Sequence, residues 1–190
     1  MGAVVGQRAK VGAATVLAGA LLAGSGCDAT TSGSAAPATT ADAAAATEAL
    51  WDPCTQISDD VLRQVRVDPA TRDNTISGVA NVEGWKLCSW HNKASRWDYT
   101  LGVWSTTYTV EELRKDANNV EFKDVSVTGR SGVQFRKAHD SHDSVCYLGF
   151  PFSNGTIEIS VFNSAASDLG QDPCRTASAA ADVLVAQLPK

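Results

Sequence analysis

"SVCYLGFPF" (Ser144–Phe152) and "GTIEISVFN" (Gly155–Asn163) are separated only by Ser153-Asn154. Asn-Gly between alternating apolar runs is a strong hairpin signal, because the tight turns that suit twisted strands need residues tolerant of positive φ. These two runs therefore read as neighbouring antiparallel strands. Upstream, "VEFKDVSVTG" (120–129) and "SGVQFRKA" (131–138) read as another strand pair, separated at Gly129, and the stretch His139 to Asp143 forms the next break. Further upstream lie "GWKLCSWHN" (84–92) and "RWDYTLGVWST" (96–106). In the second of these, Trp97, Tyr99, Leu101 and Val103 alternate with Asp98, Thr100 and Gly102, which is period two with one buried face.

Helix signals surround the strands. "WDPCTQISDDVLRQVRV" (51–67) offers Asp52 as an N-cap and Pro53 at the first helical position, with a second N-cap at Ser58. Ile57, Val61 and Val65 recur at a spacing of four, so one helix is expected there, with a break allowed at Ser58. "TVEELRKDA" (109–117) places Thr109 three residues before Glu112, a capping box. "DPCRTASAAADVLVAQL" (172–188) repeats the Asp-Pro start and carries Ala177, Ala181, Leu184 and Leu188 at helical spacing. Short links between consecutive strands favour an antiparallel sheet. The expected fold is α+β: about six strands with N- and C-terminal helices packed on them.

Composition changes sharply near Leu50. All five tryptophans and all three tyrosines of the 190-residue chain follow it, and Ala, Gly, Ser and Thr dominate before it. Residues 50–190 are expected to form one globular domain, since about 140 residues suffice for one core. "MGAVVGQRAK" (1–10) carries two positive charges and is followed by an apolar run of about fourteen residues, the order of a secretory signal. That run is shorter than the roughly twenty residues of a comfortable transmembrane span. Removing residues 1–26, which hold Arg8 and Lys10 and no acid, takes the net charge from -5 to -7. A mildly acidic domain with no basic cluster argues against nucleic-acid binding.

"GSGC" (24–27) ends the apolar run and resembles the lipobox of bacterial lipoproteins. In that family the cysteine thiol receives a diacylglyceryl group and the chain is cut just before it. Gly24 stands where the pattern usually has Leu, with Leu21 and Leu22 further upstream. Ordinary secretion, with cleavage near Ala23-Gly24-Ser25, is the alternative and would leave a free thiol. Lipidation of Cys27 accounts for the odd cysteine of an exported chain. Residues 28–49 lack large apolar side chains and read as a disordered tether spanning roughly 25 Å as a flexible chain.

Cys54, Cys88, Cys146 and Cys174 then remain, an even set that implies two disulfides in an exported domain. Zinc is disfavoured because no C-x-x-C pair occurs. Three pairings are open. Cys54 and Cys174 each stand third in a "DPC" at a helix start, while Cys88 and Cys146 lie inside strands. Joining each helix start to the strand nearest in sequence gives Cys54–Cys88 and Cys146–Cys174. Signal segment, lipobox cysteine, polar tether, the two "DPC" helix starts, "CSW" on a strand and the mid-domain cysteine together resemble one group across the whole chain. It is the actinobacterial lipoprotein family called domain of unknown function 3558. The resemblance implies an envelope lipoprotein with two disulfides, and it brings no activity, cofactor or catalytic residue with it.

Two stretches are candidate sites. "AHDSHDS" (138–144) gathers His139, Asp140, Ser141, His142, Asp143 and Ser144, the side-chain types of a hydrolase triad or a small metal site. Neighbours on one polar loop cannot all converge on one reacting atom, and no G-x-S-x-G elbow is present, so a solvated hairpin loop is preferred. Trp85, Trp90, Trp97 and Trp104 crowd two adjacent strands in both parities. One face must cover the core, and the other is a candidate binding surface for an unknown protein or small molecule. The expected function is a non-enzymatic binding or sensor module, without cofactor, held at the outer membrane face by lipid. An accessory subunit of an envelope complex, or an enzyme or metal-binding protein using the histidine loop, are the alternatives. The mature chain is expected to begin at Cys27 and to carry two or three acyl chains, since one chain gives only marginal anchoring. Intact-mass spectrometry of the native protein checks this, and a different N-terminus or an unmodified Cys27 would refute it.

Overall fold

A computed structural model describes residues 40–76, 78–167 and 170–190. The expected export signal, Cys27 and the first part of the expected tether lie outside the described residues. Helices α1 (Thr40–Glu48), α2 (Pro53–Gln56) and α3 (Asp59–Gln64) precede strands β1 (Trp85–His91) and β2 (Tyr99–Thr106). Helix α4 (Val110–Lys115) follows, then β3 (Asn119–Val127), β4 (Arg130–Lys137), β5 (Val145–Phe152), β6 (Gly155–Asn163) and helix α5 (Pro173–Leu184). All six strands form one antiparallel sheet in the order β1-β2-β6-β5-β4-β3. No helix among the described residues is long and apolar enough to cross a membrane.

Local chemistry fixes the helix starts. Asp52 accepts from the Cys54 N–H and Asp172 from the Cys174 N–H, each at 2.9 Å, with proline at the first helical position in both cases. Ser58 caps α3, so the expected first helix is two short ones that part at Ile57. Thr109 and Glu112 exchange both bonds of a capping box at α4.

Strand parity separates two faces. On one, Cys88, Trp90, Leu101, Val103, Leu148, Phe150, Ile157, Ile159 and Val161 pack against Ala177, Ala181 and Leu184 of α5 and Leu62 of α3. On the other, Val133, Phe135, Val145 and Tyr147 pack against Val110 of α4. The second layer follows from the strand order. β2 and β3 are three strands apart, so Thr107–Asn118 must cross over β6, β5 and β4, and α4 lies on that crossing.

Two expectations are corrected. The disordered tether expected over residues 28–49 is helical over Thr40–Glu48. Its end is tied down by long-range bonds: the Gly84 N–H donates to Thr47 Oγ1 at 2.8 Å and Lys86 Nζ donates to the carbonyls of Glu48 and Leu50. Tertiary anchoring supplies what an isolated alanine run lacks. The alternation puts Trp97 on a strand with Tyr99, but β2 begins at Tyr99. Asn92 Oδ1 accepts from the Asp98 N–H at 2.8 Å, and Lys93 pairs with the Asp98 carboxylate at 2.7 Å, so Trp97 belongs to the turn.

The disulfides are Cys54–Cys88 and Cys146–Cys174, as expected. Each pins the first turn of a helix to a strand. They close separations of 34 and 28 residues, for which chain-entropy arguments give about 3.5 kcal/mol each. Replacing Cys146 and Cys174 together by serine is expected to lower urea stability by about 2–4 kcal/mol. An unchanged midpoint in equilibrium denaturation would show that the α5 layer is held by packing alone.

Candidate functional site: the polar basins, the aromatic row and Glu158

The four candidate tryptophans do not form one surface. Trp90 is fully buried, because it shares its face with Cys88 and stands opposite Leu101 under the helices. It leaves the candidate surface. Trp85 and Trp104 lie on the opposite face, half-buried, with ring centroids 6.1 Å apart and edge to face. Tyr108, in the crossover and 46% exposed, adds a third ring 6.0 Å from Trp85. Trp97 is 40% exposed at the far end of the hairpin, stacked on His91 at 4.1 Å.

The 139–144 loop does not assemble catalytic or metal geometry. His139 and His142 are exposed. His142 Nε2 lies 2.9 Å from Glu121 on β3, and Ser144 Oγ donates to the Ser141 carbonyl. Arg136 holds the loop backbone through the carbonyls of His142 and Val145, and it also reaches Cys174 Sγ. Among the described residues no three His, Cys, Asp or Glu side chains gather as metal ligands.

What the loop does is wall a concavity. Two open basins adjoin at the end of the sheet where β2 begins and β6 ends, and they share Tyr99, Gly170, Gln171 and Asp172. One, of about 880 Å³, runs between the end of α3 and the start of α5 and is lined by Gln64, Arg66, Asn92, Arg175 and Thr176. The other, of about 770 Å³, is lined by Asp98, Arg136, His142, Asp143 and Asn163. Both are within the size range of small-molecule sites. Tyr99 donates through its hydroxyl to the Arg66 carbonyl at 3.1 Å, and burial raises its pKa. Arg66 has φ +63°, a left-handed backbone that few non-glycine residues adopt. Among the described residues neither Arg66 nor Arg175 has a carboxylate partner, whereas Asp98 is committed to Lys93 and Asn92, which lower its pKa. The Cys146–Cys174 disulfide fixes the start of α5 beside this end of the sheet.

Sequence reasoning missed the basin residues Arg66, Asn92 and Arg175, and it missed Glu158. Glu158 is 2% exposed in the central strand β6, its Oε1 has no hydrogen-bond partner, and burial raises its pKa to about 7 against a lowering influence from Lys137. The available signal was one acid between Ile157 and Ile159 in a strand flanked on both sides, where an apolar residue is the norm.

Iodide quenching separates the tryptophans. Trp97→Phe is expected to remove most of the quenchable emission and Trp90→Phe none of it. Strong loss of quenching in Trp90→Phe would contradict its placement under the helices.

No curated protein and no solved structure matches this chain. A family model matches residues 22–187, nearly its whole length. The chain therefore belongs to the family described as protein of unknown function (DUF3558).

Proposed function

We propose that this protein is an actinobacterial envelope lipoprotein, anchored through Cys27, that acts as a non-enzymatic module binding a small polar ligand in the adjoining basins. The observation that carries this reading is polarity along the sheet. The chain enters the domain where Thr47, Glu48 and Ala49 meet Gly84, Lys86 and Asn154, beside the first residues of β1 and β6. The basins open at the other end, beyond Tyr99 and Asn163, about seven strand residues or roughly 20 Å away. The mouth is thus at the end of the domain remote from the point where the chain enters it.

The lining favours a ligand with an anionic group and several hydroxyl or amide functions. Arg66 and Arg175 supply planar donors suited to carboxylate or phosphate, and Gln64, Asn92, Gln171 and Thr176 supply neutral hydrogen bonds. The disulfide and the Asp172 cap hold the α5 wall in place before binding, which limits the ordering cost.

Titrating the domain with citrate, inorganic phosphate and glucosamine 6-phosphate, followed by amide chemical shifts, tests the site. Shifts for at least one probe are expected at Gln64–Arg66, Asn92 and Gln171–Thr176, weakened about tenfold in Arg66→Ala/Arg175→Ala. Shifts confined elsewhere, or unaffected by the double replacement, would refute the assignment.

A further inference from the structure

Glu158 occupies the face opposite the α5 layer, in a row across the sheet that reads Leu87, Trp104, Glu158, Gly149 and Val133. Its strand neighbours on that face are Thr156 and Ser160, both buried. Thr156 Oγ1, like Glu158 Oε1, has no hydrogen-bond partner. Ser160 Oγ is already taken, accepting from the Trp104 indole N–H at 2.8 Å. Gly149 opposite Glu158 offers no side chain to bond. Over this face run the indole of Trp104 and, as the strand order requires, the Thr107–Asn118 crossover, whose helix α4 is seated through Val110 on Val133 and Phe135 of β4 and Val145 and Tyr147 of β5.

The charged and titratable surroundings are sparse. From β4, Lys137 faces this layer, but its Nζ donates to Asn119 Oδ1 at 2.8 Å and lies over the Phe135 and Tyr147 rings rather than in an ion pair with Glu158. From β5 comes Tyr147, with Asp140 of the preceding loop near its hydroxyl, and burial first, then Asp140 and Glu158, raise the pKa of the phenol and keep it protonated. From β3, Asp124 is exposed and paired with Arg114 at 2.6 Å. On α4, Glu111 and Lys115 are exposed, Glu112 accepts from Thr109 in the capping box, and Arg114 is paired with Asp124 and lies over the Phe122 ring. On the Glu158 face, β1 and β2 bring no titratable side chain other than His91, which is bonded to Thr100, while Lys86 stands on the opposite face. An ionised carboxylate here has no donor to replace lost water, and such a group either takes up a proton or makes the structure around it yield.

We propose that the β2–β3 crossover is a pH-dependent lid, shut over this face of the sheet while Glu158 is protonated and lifted from it when Glu158 ionises. Release hydrates the carboxylate and uncovers the Trp85 and Trp104 rings, from which Tyr108 departs with the crossover. The direction follows from linkage. Glu158 holds its proton to about pH 7 when shut, against 4.5 for a free glutamate. The shut state is therefore fully favoured below about 4.5, and loses ground up to about 7. Above that both states are ionised and the ratio levels off. Across that window the shut-to-open ratio is expected to fall on the order of 100-fold. Removing Lys137 takes away the one nearby cation that favours the ionised form in the shut state, and widens the window upward.

Hydrogen exchange of the full mature chain, corrected for intrinsic amide chemistry, tests the lid. Between pH 4.5 and 8, protection at Tyr108–Asp116 is expected to drop on the order of 100-fold while amides of α5 and β6 keep theirs. Glu158→Gln is expected to hold the crossover shut at every pH, and Lys137→Met to deepen the wild-type drop. A wild-type profile flat with pH would overturn the proposal. So would a drop shared by α5, which signals global loosening, or one that persists in Glu158→Gln. If Glu158→Gln does not fold, the Lys137→Met comparison decides: an unchanged drop there also overturns the proposal.

Discussion

The antiparallel pairing of β2 with β6 is the contact on which the rest of the structure depends. It joins Tyr99–Thr106 to Thr156–Asn163, residues far apart in the chain, over eight opposed positions. Without it the molecule is a hairpin, β1-β2, and a four-strand piece, β6-β5-β4-β3, each with an open edge. With it, two further features are forced. The crossover must span three strands to reach β3, which gives the second face its cover. The rows across the sheet are also set, so that Trp104 meets Glu158 and Gly102 meets Ser160. Glycine is needed at two points of this seam. A Cβ on Gly155, where φ is +138°, would lie 2.0 Å from the Thr106 carbonyl oxygen. A Cβ on Gly102 would lie 2.6 Å from Ser160 Oγ and 2.8 Å from the Trp104 indole nitrogen.

The helices are secondary to this seam but are bound to it tightly. Each "DPC" does three things in three residues: the aspartate caps, the proline fixes the first turn and the cysteine bonds the turn to a strand. Proline lacks the N–H that a first turn leaves unpaired, and the cap satisfies the next one, so the cysteine is presented from a backbone with few alternatives. One disulfide ties α2 to β1 and the other ties α5 to β5, on either side of the β2–β6 seam. The covalent links thus brace the two pieces that the seam joins.

Local signals in the sequence carried the strands, the caps, the hairpin at Asn154-Gly155 and the cysteine pairing, because each depends on residues close in the chain or on a simple parity. The order of strands did not follow from such signals. Nothing near β6 says that it inserts beside β2 rather than at an edge, and that placement decides which residues share a row. Trp90 illustrates the consequence: parity gave it a face, but only the position of α5 says which face is sealed. Trp97 was misplaced because a side-chain network around Asp98 overrides strand-like alternation. The basins were illegible for the same reason as the strand order. Arg66, Asn92 and Arg175 are far apart in sequence and meet only once α3, β1 and α5 have been packed on one sheet.

A central strand covered on both sides is ordinarily apolar in both parities. β6 obeys this on the α5 face and departs from it on the other, where Thr156, Glu158, Ser160 and Phe162 follow one another. For stability alone an apolar side chain at 158 is the better choice, since neither a carboxyl without partners nor an orphan threonine hydroxyl recovers its hydration. The neighbouring polar group is handled differently: Ser160 is satisfied by Trp104, and Gly102 leaves room for the indole to lie across it. The same face therefore contains one polar group built into a bond and two left without one. Sites where local consistency fails inside an otherwise consistent fold are where function or strain is concentrated. The two unsatisfied groups lie on the face that the β2–β3 crossover spans, and that crossover carries one short helix, α4, and no disulfide.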